Sequence, residues 1–143
     1  MSSIKDIQEE IIDEFAFYDD WSDKYEYIIE LGKDLASMQA ENKTDDNIIK
    51  GCQSKVWIAC SNQNDQLYFQ ADSDAIIVKG LIALLLRVYN HQKIEDIIQE
   101  DLYFIEKIGM QNHLSPTRSN GLLAMVKQIK FYAMAFKAKR AAN

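Results

Sequence analysis

Cys52 is the residue best placed to do covalent chemistry in this 143-residue chain. It stands between Gly51 and Gln53, followed by Ser54, just ahead of a β-branched and aromatic run. Gly51 permits positive φ, so the cysteine can stand on a tight loop rather than in a strand ladder. A thiol so placed is partly exposed, and local donors would hold it as the thiolate, the reactive form. From the residues alone Cys52 reads equally well as inert or as reactive. Cys60 follows Trp57-Ile-Ala59 inside a predicted strand and reads as a small buried hydrophobe with no chemical role.

Other chemistries find little support. A cysteine hydrolase needs a histidine base. The candidates are His91, in a helix-to-loop turn, and His113, just before the last helix, and neither lies in a signature. A zinc site built from Cys52, Cys60, His91 and His113 lacks any ligand-pair spacing. There is no Gly-rich phosphate loop and no dinucleotide fingerprint. Asp19-Asp20 and Asp45-Asp46 read as turn and solvent residues. Arg118 falls near N3 of the final helix, where a carboxylate would suit the helix dipole and a cation opposes it. It reads either as a cation for a thiolate or a partner, or as a side chain that bends into solvent.

The totals set the frame for these residues. The length fits one domain, 1–143, with a real hydrophobic core. With 48% hydrophobic and 27% charged residues, the balance is that of a soluble globular protein. No apolar run approaches the roughly 18 residues of a membrane span. The opening MSSIKDIQEE is neither a secretory signal nor an Arg-rich transit peptide, so a cytosolic location is expected, and with it free thiols. A net charge of −6 disfavours nucleic-acid binding by phosphate neutralisation. Residues 1–34 hold eleven acids against three bases, whereas every charged side chain after Glu106 is a cation. That polarity suits docking to another protein, although two solvated helix faces would give the same pattern.

The elements that must position Cys52 can be read in order. Ser3 and Asp6 form a weak capping box for a helix whose apolar positions are Ile4, Ile7, Ile11, Ile12 and Phe15. A second helix carries Trp21, Tyr25, Ile28 and Ile29, and Ala36 to Asn47 reads as a loop. Val56–Ile58 and Leu67–Phe69, separated by the turn chemistry of Ser61–Asp65, predict a hairpin, with Asn47–Lys50 as a candidate third strand. Ser73 is expected to cap the next helix, with Asp74 in its first turn. Its buried stripe is Ile77, Leu81, Leu84, Leu85 and Val88, and Gly80 permits a close neighbour. Short helices follow at 94–99 and 102–108, the latter ended by Gly109. Ser115-Pro116 starts a last helix running to about Lys139. Helices, hairpin, helices, with no βαβ repeat, predict an α+β fold: a small antiparallel sheet of two to three strands packed with helices.

Four blocks together resemble one known family. Lys50-Gly-Cys-Gln-Ser-Lys-Val-Trp-Ile58 is similar to the sulfur-acceptor motif of the SufE family. Asp72-Ser-Asp-Ala-Ile-Ile-Val-Lys-Gly-Leu81 and His113-Leu-Ser-Pro-Thr-Arg-Ser-Asn-Gly-Leu122 follow in the family's order, and WSDKYEYIIELG from Trp21 resembles its second helix. Lys50 stands where many members have proline, and Ala71 where many have glycine. The resemblance implies a SufE/IscU-like fold and a non-catalytic accessory protein of iron–sulfur cluster assembly. Such a protein accepts persulfide sulfur on the cysteine matching Cys52 from a PLP-dependent desulfurase, usually SufS. It also implies stimulation of that enzyme and delivery to the SufBCD complex. Arg118 matches an arginine of the motif, and Asp74 and His113 match neighbouring polar blocks. The PLP would be the partner's, with no cofactor and no metal on this chain. A sibling branch, CsdE, serves the desulfurase CsdA through a similar motif. A thiol-dependent enzyme using Cys52 with His113, and a purely structural interaction module, are the competing readings. Monomer and homodimer are equally compatible.

Overall fold

The computed structural model describes residues 2–142. Helix α1 (Ile4–Ala16) begins where Ser3 Oγ accepts the Asp6 N–H at 3.1 Å, the expected cap. Its apolar repeat buries Ile4, Ile11 and Phe15, and with them Gln8. The Gln8 amide donates to the Asp101 carbonyl (3.0 Å), and its oxygen accepts from the Tyr103 (2.8 Å) and Phe104 (3.2 Å) N–H groups. Partnered at both its nitrogen and its oxygen, this buried side chain ties α1 to a distant segment. Helix α2 (Trp21–Lys33) is capped by the Asp20 carboxylate, which accepts the Asp23 N–H at 2.9 Å.

The expected loop after α2 contains two single 3₁₀ turns, Ala40–Asn42 and Asp45–Asn47. Strands β1 (Val56–Gln63) and β2 (Gln66–Ser73) then form the antiparallel hairpin. Its turn narrows to Asn64-Asp65, both at positive φ (55° and 64°), the backbone that matches strand twist in a two-residue loop. Segment 47–50 does not become a strand. Caught between the Asp45–Asn47 turn and the turn at Gly51, it makes a single bridge, Ile48 to Trp57.

Helix α3 (Ile76–Tyr89) is buried nearly all round, Val78, Ile82, Leu86 and Tyr89 joining Leu81, Leu84, Leu85 and Val88. The expected cap by Ser73 is not formed. Ser73 is still paired with Val56 in the sheet, so its hydroxyl accepts the Ala75 N–H (3.2 Å) and the helix starts later, leaving Asp74 outside it. Gly80 does meet a close neighbour: a Cβ there would lie 2.7 Å from the Ile28 carbonyl carbon, and one on Gly32 would lie 2.7 Å from the Gly80 nitrogen. Helices α2 and α3 therefore touch backbone to backbone.

His91, at φ 64°, turns the chain after α3 and donates its N–H to the Leu67 carbonyl at 2.8 Å. The third strand of the sheet is β3 (Gln92–Lys93), paired to β2 in the order β1-β2-β3. Helix α4 (Ile94–Gln99) follows, then α5 (Phe104–Lys107), shorter than expected, with Gly109 at φ 77° two residues past its end. Helix α6 (Pro116–Ala142) starts as expected, Ser115 Oγ accepting the Arg118 N–H at 3.3 Å. Its Lys130 ammonium donates to the Ile97 and Glu100 carbonyls (2.9 and 3.0 Å) at the end of α4. Its Tyr132 hydroxyl donates to the Ile58 carbonyl of β1 at 3.0 Å. The architecture is α+β, helices and a three-strand antiparallel sheet sharing one hydrophobic cluster. Among the described residues no helix is long and apolar enough to cross a membrane.

Candidate functional site

The Cys52 loop is fastened at both ends. On one side the Ile49 N–H donates to the Val56 carbonyl at 2.8 Å, next to the Ile48–Trp57 bridge. On the other, the Lys55 N–H donates to Asp74 Oδ1 at 3.1 Å, and the Asp74 N–H returns a bond to the Lys55 carbonyl at 3.3 Å. Asp74 thus acts as a loop fastener. Between these ties Gly51 adopts φ 93°, a conformation that side-chain-bearing residues rarely take. A Cβ on Gly51 would find only an ordinary contact, 3.6 Å from Ala124, so backbone conformation rather than crowding calls for glycine.

This turn points Cys52 into a cavity of about 290 Å³ between the loop, α3 and the start of α6. Gln53 and Ser54 contribute from the loop, Val78 and Leu81 from α3, and Ser115, Thr117, Arg118, Gly121 and Met125 from α6 and its cap. Val78, Leu81 and Met125 are buried and form an apolar floor. Gln53, Thr117 and Arg118 are exposed at the mouth. Cys52 is half-buried, and its thiol donates to the Gly121 carbonyl at 3.6 Å. Burial pushes the thiol pKa up from its ordinary value. The sequence-based expectation of donors holding a thiolate is therefore corrected for this state: the atom that meets Sγ is an acceptor, and both it and the apolar floor favour the neutral thiol.

Arg118 lines the same cavity and forms no ion pair with any described residue, leaving its guanidinium at the mouth. His113 does not line it; its ring stacks on Trp21 with centroids 4.2 Å apart. His91 lies against Tyr68 at the end of the sheet. Cys60 is half-buried against the core, its thiol pushed up to about 12 by burial, and both cysteines are free. Among the described residues no group of three or more His, Cys, Asp or Glu converges to hold a metal ion. The residue whose role was not legible in the sequence is Gly121. A glycine inside a helix is locally unfavourable, and that conflict and its place in the 113–122 block were its signals, neither of which says that it meets Cys52.

An α+β protein with a half-sheltered cysteine set in a cavity is the class these features define. Residues 9–133 match the family described as SufE, the Fe-S metabolism associated domain. An uncharacterized SufE-like protein of Rhizobium meliloti (strain 1021) is 42% identical over 127 residues, with 85% of this chain and 91% of that protein covered. Another, of Rhizobium etli, is 43% identical over 127 residues, covering 85% and 86%. The chain belongs to the SufE family, and with it to iron–sulfur metabolism. The solution structure of a hypothetical protein from Thermus thermophilus has the same fold, with a TM-score of 0.75 at 13% identity over 90% of this chain and 94% of that one.

Proposed function

We propose that this protein is a sulfur acceptor of iron–sulfur cluster assembly that works through Cys52 and has no turnover of its own. The donor is a persulfide on a PLP-dependent cysteine desulfurase of the SufS type; the PLP stays with that enzyme. Cys52 gives up its thiol proton to solvent once the loop is drawn out, and its thiolate attacks the outer sulfur of the donor persulfide. The donor's S–S bond breaks, and its electron pair leaves as the donor thiolate, while Cys52 becomes the persulfide. A thiolate of the recipient, the SufBCD complex, repeats the attack on the outer sulfur and regenerates Cys52. Arg118 at the mouth supplies positive charge where anionic sulfur develops. Docking draws the loop outwards about Gly51, and the freed thiol then ionises readily; the same docking stimulates the desulfurase.

The observation that carries this reading is the pairing of family membership with Cys52 seated in a cavity large enough for an added sulfur. The test is intact-mass spectrometry after incubation with cysteine and a SufS-type desulfurase. Addition of reducible sulfur to wild type and Cys60→Ser, and none to Cys52→Ser, is the expected result. Sulfur on Cys52→Ser, or none on wild type with either a SufS-type or a CsdA-type enzyme shown to be active, would overturn it.

A further inference from the structure

The floor of the cavity holds a feature that the acceptor chemistry does not by itself require. Gly121 sits in the second turn of α6, buried, at a position where helix propensity disfavours glycine. Its φ is not in the left-handed region, so no turn explains it. What explains it is the thiol: a Cβ on Gly121 would lie 3.2 Å from Cys52 Sγ and 3.8 Å from both Cys52 Cα and Cβ. Outside its own stretch of helix, the three atoms nearest that Cβ all belong to Cys52. The same residue's carbonyl accepts a hydrogen bond from the thiol at 3.6 Å, using the lone pair that a helical carbonyl keeps beyond its own ladder bond.

We propose that Gly121 is the positioning residue for Cys52: its missing side chain forms the seat of the sulfur, and its carbonyl keeps the seated thiol protonated. The inference rests on the acceptor reading for its purpose, since a seated, protonated thiol does not react until the loop is drawn out. The physical mechanism is local. Leu122, Met125 and Ile129 anchor α6 in the core, whereas among the described residues the backbone of the cysteine loop is tied at its two ends and the loop meets α6 through the thiol itself. A methyl group at position 121 therefore moves the cysteine and not the helix. Arg118 is the one charged side chain among the described residues lining the cavity, and Lys50 and Lys55 on the loop are exposed. All three are unchanged by substitution at 121.

The test labels the full chain with iodoacetamide across alkaline pH, without any desulfurase, and reads Cys52 and Cys60 separately by peptide mass mapping. In Gly121→Ala, labelling of Cys52 is expected to rise roughly three- to tenfold, the change in thiolate fraction that half to one pKa unit brings. The pH midpoint at Cys52 should fall towards that of an ordinary thiol, while Cys60 keeps its rate. Gly121→Val should give the larger shift; if it does not fold, Gly121→Ala, which improves helix propensity, decides alone. Unchanged Cys52 labelling would overturn the proposal. So would acceleration of both cysteines together, which reports general loosening. Because sulfur transfer plays no part in the assay, failure here leaves the mass test of the acceptor reading intact, and failure there leaves this one intact.

Discussion

Arg118 occupies N3 of α6, with its N–H bonded to the Ser115 hydroxyl and its side chain at the mouth of the cavity. A cation there works against the helix dipole. In the proposed transfer it would stand where both attacking and leaving sulfur carry negative charge. Replacing it by alanine should slow sulfur uptake roughly tenfold, about the effect of one unit of pKa on the reacting thiol. Arg118→Lys should restore part of the rate. Stopped-time mass spectrometry with a fixed amount of persulfurated donor measures both. Arg118 stood out in the sequence because it breaks a local rule, and Cys52 because a glycine precedes it on a loop, while the residues alone left both open between a functional and an inert reading. The protonation state of Cys52 was not legible, since it depends on a carbonyl and an apolar floor from segments distant along the chain. For the same reason His113 read as a candidate base, although its ring lies against Trp21.

At the level of elements, the backbone contact of α2 with α3 at Gly32 and Gly80 fixes the helix that carries Val78 and Leu81 to the cavity. Gly80→Ala drives a methyl into the Ile28 carbonyl, a backbone atom that cannot rotate away. We expect a loss of about 3 kcal/mol, the upper range for overpacking, measured as a lower midpoint of urea unfolding with an unchanged slope. The gain in helix propensity from alanine is too small to offset it. Long elements were read well from sequence because their apolar repeat persists over several turns, as in α1 and α3. Strand β3 has two residues and no period to detect, so the third strand was sought at 47–50 instead. Ser73 looked like a cap because capping chemistry is local, whereas the pairing that keeps it in the sheet is not.

Across the molecule, the acidic and basic halves are less free than the sequence suggests. Arg87 of α3 holds Glu14 (2.7 Å from Nη1) and reaches Glu10, while Lys130 and Arg140 are engaged with α4. The hydrogen bond from Arg87 outweighs burial and holds the Glu14 carboxyl below its usual value of 4.5. A depressed folded pKa contributes stability that is present above the unfolded value and is lost as pH falls through the folded one. The pair is about one-third exposed, so screening limits the effect. Glu14→Gln should cost about 1 kcal/mol or less near neutral pH, and the difference from wild type should close as pH drops below 4.5. Urea titrations at several pH values check the sign.

The ties at Ile49 and Lys55 also set a reach. Cys52 is three residues from the first tie, and three residues of extended chain span at most ~10 Å. Whatever path the loop takes, its sulfur stays on a short leash. A donor whose sulfur lies deeper than this below its own surface is out of range unless it brings that sulfur forward. On the acceptor reading, the geometry of this one loop would screen donors by depth, before any contact between the two surfaces has a say.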